Sequence, residues 1–362
     1  MYRYLTLVLV IALSAFLPAQ DKQANLQVKK GGTLNVEVLS ADISINTWGK
    51  DEFVIRYNED SRIRIEKKGN DIFVTNSDGD LDNISVYIPE NFNFDINTAG
   101  GDIRMHSNIK GDVKLNTSGG DISLENITGT LVVSTGGGNV SINNVMGRAE
   151  LKSYGGDMAF GKIAGSLKLS TAGGNISGGS VIGSCSISTA GGDISVGDFD
   201  GITEILSGGG NISAGKSKNK LLVKTGGGDI YIESILNEGI INSGSGNITI
   251  DYLSGSVKAK TNAGDIQIGI HPDYKGNTEL MTSSGSVRLK VNEKANVKIS
   301  AKVAHQGGFP ENLSDYIHSD FKGPNTTSKT PGFFEATYEI NKPEGTIQLK
   351  LSNGELYIKK AK

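Results

Sequence analysis

Residues 118–160 read SGGDISLENITGTLVVSTGGGNVSINNVMGRAELKSYGGDMAF, and the Gly-Gly turn followed by Asp or Asn and an apolar residue returns at a constant interval. Its anchors are Asp121, Asn139, Asp157, Asn175, Asp193, Asn211, Asp229, Asn247 and Asp265, each eighteen residues after the last, with acid and amide alternating at every step. An earlier copy at Asp102 lies nineteen residues upstream of Asp121, and a later one at Ser286 lies twenty-one residues beyond Asp265. A fixed period of this length marks an architecture of stacked repeats.

Working outward from the anchor, apolar residues such as Ile122 and Leu124, then Leu131 and Val133, alternate with polar ones. Period two means strands with one buried face rather than helices. The glycine pairs before each anchor, and a further glycine eight positions after it (Gly129, Gly147, Gly165), supply sharp turns. A unit of this size cannot bury its apolar face alone. Stacked on its neighbours at about 4.8 Å, strand over strand, it encloses a continuous core. The reading predicts an all-β, single-stranded β-solenoid (β-helix) with about eighteen residues per rung and irregular β caps; the pattern does not encode handedness.

The anchor column is expected to be a structural turn ladder. A pure Asp column would hold carboxylates about 4.8 Å apart and cost about 1 kcal/mol per pair in water. Interleaved Asn doubles that separation, and its amide is expected to donate to the carboxylates above and below. Four positions before the anchor runs a hydroxyl column, Thr117, Thr135, Ser153 and Thr171 among them, suited to satisfying backbone groups at the corners. Cys185 is the single cysteine, so no intramolecular disulfide forms, and its column, shared with Leu167 and Leu221, predicts a buried thiol.

Four regions are expected. Residues 1–19 read as a secretory signal, with Arg3 in a short basic start, an apolar run from Leu5 to Leu17 too short for a typical membrane span, and a cleavage region at Pro18-Ala19-Gln20. Export to the periplasm or the outer cell surface follows, without a transmembrane anchor after cleavage. Residues 20–98 form an N-terminal β cap region, 99–292 the regular solenoid, and 293–362 an irregular loop with closing strands. Asn353-Gly354-Glu355-Leu356 echoes the repeat turn and is expected to be a final rung. Long loops carry function, so the 304–332 stretch is the candidate recognition loop, with His305, Phe309, Tyr316, His318 and Phe321 as its aromatic contacts.

Gly31-Gly32-Thr33-Leu34-Asn35-Val36, the strand Val86-Tyr87-Ile88-Pro89 and the repeated Gly-Gly-Asp-Ile turns together resemble the bacterial putative adhesin family, exported domains of unknown function. The resemblance runs from about residue 30 to the end. It implies a β-solenoid of the cell envelope and brings no catalytic or binding residues with it.

A net charge of −3 argues against a dedicated nucleic-acid binder. The four histidines, His106, His271, His305 and His318, form no metal-type pair, and the Gly-rich turns lead into strands rather than the helix a phosphate loop needs. No cofactor or metal is expected. The function read here is a non-enzymatic, adhesin-like binding or scaffold module, its partner a cell-surface glycan or another envelope component. The alternatives are a structural subunit polymerising end to end and a polysaccharide-degrading enzyme. Asp residues two rungs apart would stand about 9.6 Å from one another, close to the separation inverting glycosidases use, but no local cluster of acids and cations interrupts the columns.

Overall fold

The computed structural model describes residues 22–58, 62–78, 81–304, 312–330 and 332–361. The signal segment 1–19 lies outside them. The described residues form two sheets of eighteen strands each, mostly parallel.

One repeat gives one strand to each sheet. Ile122–Thr128 lies in the first sheet, the chain turns at Gly129, Leu131–Thr135 lies in the second, and the Gly-rich turn returns the chain to Val140–Met146 beside Ile122–Thr128. Ile122 pairs with Val140 and Leu131 with Ala149, eighteen residues on in each case. The same offset pairs Ile230 with Ile248 six repeats further along. Alternate side chains point inward from both sheets and are buried, and the inward faces meet in one core running from Val28 to Ile358. The architecture is β-solenoid-like, all β as the periodicity predicts. Cys185 is buried within it, and burial pushes its thiol up to about 12.

Size is matched between rows inside the core. The ring of Phe160 lies over Gly178, where a Cβ would come within 2.1 Å of Phe160 Cζ. Over this middle stretch the first-sheet strands shorten to three residues, followed by isolated bridges at Ile163, Val181 and Phe199.

At both ends the order in space departs from the order in sequence. In the second sheet, Thr33–Ser40 lies between Asp71–Asn76 and Asn93–Gly100, and in the first, Asp42–Trp48 lies between Asn83–Pro89 and Ile103–Met105. At the other end, Gly345–Leu351 sits between Asn277–Thr282 and Val297–Ala304, while Leu356–Ala361 sits between Val287–Asn292 and Ile317–Ser319. The expected final rung is therefore an interior row, and the stretch preceding it in sequence closes the stack. The strand Asn93–Gly100 also crosses the boundary read at residue 98, and it pairs with Val113–Thr117 of the regular repeats.

The outermost described strands are short or charged. In the second sheet they are Arg64–Lys68 and Thr326–Thr330, both antiparallel to their neighbours. In the first they are Lys22–Gln27, also antiparallel, and the three-residue Ile317–Ser319. Short and charged edges resist pairing with another chain.

Candidate functional site

The anchor ladder is continuous, but its bonds differ from those expected. Oδ1 of each anchor accepts the backbone N–H of the next: Asn139 N–H donates to Asp121 at 2.7 Å, Asp157 to Asn139 at 2.9 Å, Asn175 to Asp157 at 2.7 Å and Asp193 to Asn175 at 2.9 Å. Asn211, Asp229, Asn247 and Asp265 continue the series at 2.7–2.8 Å. No hydrogen bond joins an Asn amide of these anchors to a neighbouring carboxylate among the described residues. Asn and Asp present the same acceptor to the backbone, so hydrogen bonding does not require them to alternate; charge spacing does.

The ends of the ladder support that account. Asp42, Asp102 and Asp121 follow one another without an intervening Asn, and there Arg104 binds Asp102 and reaches Asp42 at 3.9 Å. Asp265, at the other end, is bound by Arg288 at 2.7 Å. Burial raises the Asp265 pKa, but the N–H of Ser286 and the guanidinium of Arg288 outweigh it and leave the carboxyl below its usual range.

Asn175→Asp keeps the acceptor and adds a charge between Asp157 and Asp193. The expected loss is about 1–2 kcal/mol at low salt, from two pairs at about 1 kcal/mol each. It should nearly vanish in ~1 M NaCl, where the screening length is about 3 Å. Asn175→Ala, which removes the acceptor, should lose stability to a similar extent at both salt concentrations. Urea denaturation at the two ionic strengths distinguishes them.

The hydroxyl column serves the corners as read. Thr135 Oγ1 accepts the N–H of Gly138 at 3.1 Å and donates to the carbonyl of Gly120 at 3.3 Å, and Thr171 repeats the arrangement with Gly174 and Gly156.

Of the candidate recognition residues, His305 and Phe309 lie outside the described residues. The other three belong to a closing cap rather than an open loop. Tyr316 is half-buried and tilts against Phe334, with ring centroids 6.3 Å apart, and its carbonyl accepts the N–H of Leu356. His318 stacks on Tyr357 at 4.8 Å and places Nε2 3.0 Å from Glu355. Phe321 packs against the core beneath the Lys360 ammonium. Prolines made this stretch look irregular, yet Ile317–Ser319 and Thr326–Thr330 each find a partner strand.

A cluster that the sequence reading did not find sits on the outer face of the first sheet. Through the middle repeats two of its columns carry only small side chains, Ser177, Ser195 and Ser213 in one, Gly179, Gly197 and Gly215 in the next. Tyr231 interrupts the first column and Glu233, then Asp251, the second, and Tyr231 Oη donates to Asp251 Oδ2 at 2.6 Å. That bond, with burial and the Asp251 charge adding to it, pushes the Tyr231 phenol above its usual range. Beyond them opens a groove of about 550 Å³ lined by Asp251, Tyr252, Gln267, Gly269, His271 and Lys290. A second groove of about 460 Å³ lies on the other side of Tyr231, beside Ser195, Ser213 and Thr249. The first groove stands where three extra residues widen the repeat, and the turn through Pro272 drives Tyr274 into the core, 1% exposed. Among the described residues no group of three His, Cys, Asp or Glu is placed to hold a metal ion, and no helix is long and apolar enough to cross a membrane.

The family model described as Toastrack DUF4097 matches residues 13–350. The chain belongs to this family. Among solved structures, the Toastrack chain is similar to a putative adhesin from Bacteroides fragilis NCTC 9343, at 16% identity over 75% of this chain and 97% of that one, TM-score 0.26. It is also similar to a putative adhesin from Parabacteroides merdae ATCC 43184, at 14% identity over 76% and 93%, TM-score 0.26. A putative cell adhesion protein from Clostridium sporogenes ATCC 15579 is similar at 10% identity over 94% and 100%, TM-score 0.14. No curated protein matches the Toastrack chain.

Proposed function

We propose that the protein is a non-enzymatic, exported, adhesin-like module of the bacterial cell envelope: a β-solenoid coiling at eighteen residues per rung that holds polar surface at fixed spacing. The observation that carries this reading is where the acids of the ladder are spent. Oδ1 of each anchor accepts the backbone N–H of the next repeat along the whole ladder, which gives the recurring Asp residues a building role in the stack. Membership of the Toastrack family, and the putative-adhesin names of structures similar to this chain, agree with this reading.

The end-to-end polymer is the weaker reading, because both ends finish in short or charged strands. Light scattering of the mature chain is expected to give a monomer at every concentration; growth in mass with concentration would revive the polymer. Location is tested by protease shaving of cells carrying an epitope after Lys362. Digestion on intact cells is expected for a surface adhesin. Digestion only after the outer membrane is permeabilised would place the protein in the periplasm and overturn the adhesive role in favour of a scaffold.

A further inference from the structure

The groove between Tyr231 and Lys290 has the chemistry of a sugar site, and we propose that it binds a glycan through a carboxylate-bearing sugar of the uronic-acid class. The inference rests on the reading of the protein as a binding module and names the ligand class and the residues. Repeated columns build the stack; a ligand site on such a surface is where the columns are broken. Here three departures fall in neighbouring rows: the serine column ends at Tyr231, the glycine column is broken at Glu233 and Asp251 before it resumes at Gly269, and the eighteen-residue spacing widens to twenty-one between Asp265 and Ser286.

The floor is Gly269, in register with Lys290 on one side and against Asp251 on the other. A Cβ on Gly269 would meet the Asp251 carbonyl at 2.0 Å, so this position stays bare and the groove stays open. Asp251 and Lys290 thus face each other across two strand spacings, about 9.6 Å, too far for an ion pair and wide enough for a pyranose ring. Their polar groups are unspent. Asp251 uses one oxygen for Tyr231 and keeps the other; Lys290 and the Gln267 amide have no partner among the described residues. His271 Nδ1 accepts the Asp273 N–H at 3.2 Å and lies 3.6 Å from the Asp273 carboxylate, while Nε2 has no partner among the described residues. Tyr252, 59% exposed, offers an aromatic flank to the C–H face of a sugar.

Charge selects the sugar. The cations beside the groove are already paired, Arg288 with Asp265 and Lys359 with Asp320. Lys290 is the lining cation left for a ligand carboxylate, while Asp251 and Gln267 can take hydroxyls. An open polar groove with a few converging donors and acceptors suits a glycan better than an apolar peptide segment.

The test titrates the purified mature protein with oligogalacturonate and with a neutral oligosaccharide of equal length, by calorimetry. Wild type is expected to bind the oligogalacturonate at least about tenfold more tightly, with that preference lost in Lys290→Gln and binding of both probes abolished in Tyr252→Ala. Lys260→Gln, on the opposite sheet, should leave binding unchanged. Equal affinity for the two probes, no binding of either, or oligogalacturonate binding indifferent to Lys290→Gln and Tyr252→Ala would each overturn the assignment. Binding indifferent to both substitutions would still leave the adhesin-like reading intact, and shaving with light scattering tests that reading separately.

Discussion

Gly174→Ala should be among the most damaging single-methyl changes in the molecule, with an expected loss on the order of 3–5 kcal/mol, summed from overpacking and two disturbed side chain–backbone hydrogen bonds. The added Cβ would lie 2.0 Å from the Gly156 carbonyl oxygen and 2.4 Å from its carbon. Both contacts are backbone in the neighbouring row, so no side chain can swing aside. Relief requires the two turns to separate, which strains the Asn175 N–H to Asp157 bond at 2.7 Å and the Thr171 hydroxyl to Gly156 bond at 3.1 Å. Gly173 is the matched control. It is exposed, a Cβ there would meet only Gly155 O at 3.9 Å, and Gly173→Ala should change stability by no more than about 0.5 kcal/mol. Urea denaturation of the pair measures the difference; similar losses for both would mean that turn conformation, not row spacing, selects glycine here.

Tyr274→Ala is expected to cost about 3–5 kcal/mol, as for other large buried rings. The side chain fills the space opened by the three-residue insertion. Its ring occupies the position where any side chain on Gly345 would collide, at 2.6 Å from Cε1, and its hydroxyl donates to Thr346 O at 2.7 Å. It therefore holds in place the strand Gly345–Leu351, which separates two other rows. Hydrogen exchange should show protection lost over 345–361 and 297–304 well before 131–153. Tyr274→Phe keeps the ring and should cost only about 1 kcal/mol. Burial pushes the Tyr274 phenol from 10.0 up to about 12. Between those pH values the unfolded chain loses a proton that the folded chain keeps, so this group withdraws stability as pH rises through that window. In Tyr274→Phe that contribution to the alkaline decline should disappear.

The stack was legible because its information is periodic. Anchors, hydroxyls and alternating apolar residues recur at a spacing that places each beside its own kind, as the pairing of Ile122 with Val140 shows. Pairings that break sequence order leave no such trace. Leu34 lies between Ile72 and Phe94, partners thirty-eight and sixty residues away, and nothing in its composition announces them. In the 304–332 stretch the prolines signalled a loop, and among its described residues Ile317 and Thr326 pair with Leu356 and Thr337. The groove was spread over residues 231–290 at different offsets within the repeat. Its visible signals were the breaks in the serine and glycine columns at Tyr231, Glu233 and Asp251 and the widened spacing after Asp265, and they carried meaning only once those columns shared a face.

The backbone ladder runs in one sense throughout, each anchor N–H donating to the anchor before it, so any repeat can follow any other as far as hydrogen bonding is concerned. Charge imposes a stricter rule. Excising one Asn-bearing repeat would set two acids side by side; excising two repeats, thirty-six residues, restores Asp beside Asn with every core column intact. The protein is thus a ruler graduated in pairs of repeats, and chains of this design should differ in length by thirty-six residues more readily than by eighteen.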